Sequence, residues 1–162
     1  MGELLLRAAV IAATVAYAAA EWMRFRRPDA WRASRTAWTL GAGLLVLHSA
    51  AAFHVRHRWS HADALASTAA QTAALTGWHW GGGLYANYAF LVLWAVDAAW
   101  WWIRPVSYPV RTGRWRRAST IAFLFMFANG AVVFAHGAMR VIGAACVAVA
   151  ALAYYSSVRS TT

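Results

Sequence analysis

The residues of this chain best suited to chemistry are its six histidines. Imidazole is the commonest metal ligand among side chains and the one that titrates near neutral pH. Histidines therefore point to metal binding, haem ligation or proton handling. Three of them fall in the stretch FHVRHRWSH at 53–61, where His54, His57 and His61 are spaced i, i+3, i+7. One helix running through that stretch would put all three rings on a single face. The others are His48, His79 and His136.

Two metal chemistries suit such residues. A copper, zinc or iron ion takes three or four ligands, and the candidate set is His54, His57, His61, His79 and His136. Only Glu3 and Asp63 could add carboxylates there, which disfavours a carboxylate-rich di-iron centre. A haem b needs only axial ligands, and the candidates are His54 with His136, then His48. Cys146 is the sole cysteine, so no internal disulfide and no cysteine-based zinc site can form. No phosphate-binding loop, dinucleotide fingerprint or activated serine is present.

The elements that must position these groups follow from composition. Hydrophobic residues make up 62% of the 162 and charged residues 12%, against about 25% charged in ordinary domains. A soluble chain of this length has too little interior to hide that apolar surface. An all-α polytopic membrane bundle is expected, as a single domain over 1–162. Five apolar runs, 4–23, 37–55, 84–103, 118–135 and 141–156, read as transmembrane helices. An amphipathic helix is expected along the outer surface at 60–76, with Ser60 and Asp63 as a capping pair and Gly81, Gly82 and Gly83 allowing a sharp re-entry. A helix starting at Ser60 turns His61 away from His54.

The net charge of +10 does not signal nucleic acid. All the basic residues are arginines, and most lie in 24–35 and 104–117, each flanked by apolar runs. That is the pattern of cytoplasmic loops. It predicts an inner (cytoplasmic) membrane protein with its N-terminus outside, its C-terminus inside, and lipid and other membrane subunits as partners. Trp22, Trp31, Trp38, Trp100, Trp101, Trp102 and Trp115 are expected in an inner aromatic belt, and Trp59, Trp78 and Trp80 in an outer one. AYAAAE at 16–21 resembles a leader cleavage site, but the preceding MGELLLR lacks the positive bias of a leader, so retention is expected.

Helix rise converts position into height above the inner ends of the spans. His48 and Asn129 come out near mid-membrane, about 18 and 17 Å up. His54 and His136 both reach about 27 Å and Asn87 about 24 Å, which makes His54 and His136 the pair at matching height. Asp97, about 9 Å deep, is expected to meet an inner-loop arginine or the Tyr17 hydroxyl, and Glu21 to meet Arg24 or Arg35. A proton route through Asp97, His48, Asn129 and His136 can be drawn. Arg140, with Tyr85, Tyr88 and Asn87, suits an anion or quinone headgroup, or reaches outward to lipid phosphates.

Three functions follow as expectations. The first is a small membrane subunit that binds haem or a transition metal through outer-half histidines and serves electron transfer or a larger redox complex. The second is a cofactor-free structural or assembly protein. The third is a small proton-coupled transporter. Nothing in the chain supplies a soluble catalytic domain, so a standalone enzyme is not expected.

Overall fold

The computed structural model describes residues 2–159, and among them every regular element is helical. The order is α1 (Gly2–Arg26), a 3-10 turn (Pro28–Ala30), α2 (Trp31–Val55), α3 (His61–Thr76), α4 (Gly83–Ile103), α5 (Gly113–Ala128), a π-helical turn (Asn129–Val133) and α6 (Ala138–Arg159). Three helices, α1, α2 and α6, are long and apolar enough to cross a membrane. At 25 residues, α1 is about 37 Å long, more than the roughly 30 Å hydrocarbon core. α4 has 21 residues, carries Asn87 and Asp97, and is not among those three. α5 has 16 residues before its helical pitch changes.

Local chemistry sets the boundaries. Pro28 bars the α conformation at Arg27, which sits at φ −135°, ψ 70°. α1 therefore stops and turns back as α2. Ser60 caps α3 by accepting a bond from the Asp63 amide at 3.2 Å, as the capping pair predicts. Gly77, left-handed at φ 76°, closes that helix. The turn before α3 is unusual, because Arg58 (φ 47°) and Trp59 (φ 64°) are both left-handed without being glycine.

α1 packs against α2 and α6, α2 against α4, and α3 against α4. Small residues bring the helices together. A Cβ on Gly41 would strike the Trp94 ring at 2.7 Å. A Cβ on Gly143 of α6 would overlap the Ala131 carbonyl of the π turn. At the centre, Tyr17, Trp38, Phe90, Trp94, Phe123 and Phe127 form a buried aromatic cluster. Tyr17 stacks on Phe127 with centroids 4.2 Å apart.

The aromatic belts need correction. Trp22, Trp31, Trp102 and Trp115 face outward, but Trp38 and Trp101 are only 2% and 4% exposed. They are core residues, because a buried arginine lies between them.

Candidate functional site

That arginine anchors the end of the bundle where α1, α4 and the arginine-bearing loops meet. Arg24 lies over the Trp38 ring at 4.4 Å and the Trp101 ring at 4.7 Å. It pairs with Glu21 at 2.9 Å and donates to the Tyr108 hydroxyl at 2.9 Å. Tyr108 donates in turn to Asp97 Oδ2 at 2.5 Å. Arg111 holds Asp97 Oδ1 at 2.7 Å, and both side chains are almost wholly buried. Burial pushes the Tyr108 hydroxyl well above the ordinary tyrosine value, so it remains a neutral donor. Of the expected acid partners, Glu21 takes Arg24 and Asp97 takes the loop residue Arg111. Tyr17 is not an Asp97 partner. Its hydroxyl is buried without a hydrogen bond, and Tyr108, from the loop between Pro105 and Pro109, takes that place.

The opposite end is hollow. One cavity of about 270 Å³ is bordered by His48 and Phe53 of α2, Thr68 and Gln71 of α3, and Asn87 and Tyr88 of α4. A second, of about 540 Å³, is bordered by Leu6, Arg7, His48, Arg56, Phe134 and His136. Val10, His48 and Gly130 border both. His48 thus stands between them.

The His48 ring is oriented by a single bond. Its Nδ1 lies 2.9 Å from the Leu6 carbonyl oxygen. A carbonyl can only accept, so Nδ1 carries the proton and Nε2 keeps its lone pair. His136 follows the π turn, in the short non-helical stretch before α6, and has no hydrogen-bond partner among the described residues. Helix rise sets these two residues about 9 Å apart in height, and both border the cavity of about 540 Å³.

The other histidines disperse. His54 is exposed, and its Nδ1 accepts a bond from Trp59 Nε1 at 3.3 Å. It does not border the cavity of His136. His57 pairs with Asp63 at 2.7 Å. His61 contacts the hydroxyls of Tyr88 at 3.2 Å and Tyr85 at 3.3 Å. His79 is exposed between Trp78 and Trp80, which stack 5.6 Å apart. Among the described residues no three His, Cys, Asp or Glu side chains converge on a point that could hold a metal ion.

The remaining polar candidates turn to local backbone. Asn129 Nδ2 donates to the Phe125 carbonyl of its own helix at 2.9 Å. Arg140 Nε donates to the Ala135 carbonyl at 2.9 Å, covering an acceptor that the broken helix leaves open. It is not joined to Tyr85, Tyr88 and Asn87. Comparison of the chain with protein-family models, curated proteins and solved structures finds no match, so the function has to be argued from these two ends.

Proposed function

We propose that this protein is a small multi-pass subunit of the cytoplasmic membrane that binds haem b at its histidine-bearing end and passes electrons within a larger redox complex. The observation that carries this is His48: its Nδ1–H is committed to a backbone carbonyl, and its ring faces the same cavity as His136. An outer hydrogen bond of that kind fixes the tautomer of a ligating histidine and raises its basicity. Haem is favoured over a bare copper, zinc or iron ion. A bare ion needs a third protein ligand, whereas haem brings four nitrogens of its own and asks only for axial ones. The larger cavity, about 540 Å³, lies within the roughly 300–1,000 Å³ of small-ligand sites. Arg7 on its border suits a haem carboxylate, whereas Arg56 beside it is already held by both oxygens of Glu3. His48 and His136 replace His54 and His136 as the axial candidates. The five-span arrangement with the N-terminus outside belongs to the same proposal and rests on the arginine asymmetry.

The test is the reduced-minus-oxidised absorbance spectrum of the detergent-purified protein. A Soret band is expected, lost in His48→Ala, weakened or shifted in His136→Ala, and unchanged in His54→Ala. No band, even after reconstitution with haem, overturns the reading.

One observation favours a second function. His57 and His61 already have partners in Asp63 and the Tyr85 and Tyr88 hydroxyls, as a cofactor-free structural or assembly protein would require. Under that reading the spectrum is blank and His48→Ala lowers stability alone. The proton-coupled alternative has less support, since Asp97 is engaged by Tyr108 and Arg111 and Asn129 by its own helix.

A further inference from the structure

The arginine-bearing end has a cavity of its own, separate from the histidine end. It measures about 190 Å³, and its border includes Arg24, Arg27, Arg111, Arg116, Trp31 and Trp101. Four guanidinium groups border it and no carboxylate does. Glu21 and Asp97 pair with Arg24 and Arg111 but do not themselves border the opening.

We propose that this cavity binds a phosphate group, carried either by the headgroup of an anionic phospholipid or by a small soluble phosphate ester. Guanidinium is the side chain best matched to phosphate, because its planar fork offers paired N–H donors. Donors are available. Arg111 gives one hydrogen bond, to Asp97, out of the five N–H groups a guanidinium carries. Arg24 Nε is buried with no partner. Arg27 meets its acid, Asp29, at only 3.5 Å, with both side chains largely exposed. Arg116 is exposed and has no acid partner among the described residues.

The site is also preformed. The Arg24 guanidinium is held against Trp38 and Trp101, and that of Arg111 lies 4.1 Å over the Tyr108 ring. Fixed cations lose little freedom when an anion arrives. The adjoining helix start adds to the field. α5 has no acid in its first turn, and Arg116 lies there, at the positive end of the helix dipole. Clustered cations at such an end repel one another, and a bound anion relieves that repulsion. Trp31, Trp101, Pro28 and Pro109 give the cavity apolar walls, which suit the glycerol and ester carbons beside a phosphate. Basic pockets between membrane helices take anionic headgroups by the same logic.

The experiment uses the full chain in neutral detergent at constant ionic strength. Thermal unfolding is followed with phosphatidylglycerol, with phosphatidylcholine and with glycerol phosphate. Phosphatidylglycerol is expected to raise the midpoint and phosphatidylcholine to leave it unchanged. If glycerol phosphate also raises it, the phosphate alone suffices and soluble esters are ligands. If only phosphatidylglycerol does, the ligand is the lipid. The double variant Arg27→Gln/Arg116→Gln, at exposed positions, should weaken the protective ligand about tenfold, the loss expected for charge-assisted bonds. Arg114→Gln/Arg117→Gln removes equal charge from the same end outside the cavity and should change affinity little. Equal weakening by both pairs would mean diffuse attraction and overturn the site, as would protection by neither phosphate probe. The haem spectrum is indifferent to every arm of this experiment.

Discussion

The two ends of the bundle handle polar groups in opposite ways. At the arginine end, charges that composition would assign to the surface are drawn inside. Glu21, Arg24, Asp97, Tyr108 and Arg111 form a connected buried network walled by indole rings. At the histidine end, side chains that could have packed tightly stand around open space. The difference teaches that one bundle can hold its charged side chains by pairing them and its imidazoles by leaving space beside them. Buried ions paired with one another hold a structure in one arrangement. An imidazole with one nitrogen tied down and a cavity beside it is left available to a ligand.

The largest test of that contrast is Asp97→Ala. It strands Arg111 in a buried site without its carboxylate, and breaking a buried pair costs about 3–5 kcal/mol. Thermal unfolding in detergent should show the loss. A value below that of any histidine-end substitution would mean that the arginine end is not the rigid one. Tyr108→Phe comes next, since its hydroxyl links Arg24 to Asp97. Loss of bonds to charged partners should lower stability by about 1.5–3 kcal/mol, with Asp97→Ala and Tyr108→Phe non-additive when combined. Gly143→Ala probes the wall of the hollow end, where the added methyl meets the Ala131 carbonyl. Overpacking of that kind costs about 1–3 kcal/mol, whereas Gly43→Ala, with open space around it, should be neutral or slightly stabilising in the same assay. Among the destabilising substitutions, the smallest effect is expected of His48→Ala in the cofactor-free protein. It removes one bond to Leu6, about 1 kcal/mol. A much larger loss would make His48 a structural strut rather than an available ligand.

Much of the fold is legible in the sequence. Apolar runs between arginine clusters lead to an all-helical chain with helices able to cross a membrane, and Ser60 marks a real boundary. The acid pairings are legible too, because Glu21 and Arg24 are one turn apart and Asp97 lies near the loop that supplies Arg111. Tyr108 is not legible. It sits in an irregular loop between prolines, and only tertiary packing turns it onto Trp101, 4.4 Å between ring centroids. The shared cavity of His48 and His136 is hidden for another reason. Reckoning height along a span assumes unbroken α-helix, and the chain from Asn129 to His136 is not one. Tryptophan position misleads at Trp38 and Trp101, since cation–π burial competes with the headgroup region for indole.

The π turn carries a consequence for how this chain can change over generations. Phe134 N–H bonds to the Asn129 carbonyl at 2.9 Å, five residues back, so the turn holds one residue more than a continuous α-helix would. Such an insertion can be undone by losing a single codon. Losing it would return the turn to continuous α-helix and leave the residues downstream close to their present phase, because the wide turn had taken up the extra residue. A one-residue change of length at 129–133 can therefore be taken up by the turn itself, without an answering change at 136 or 143 in the same lineage.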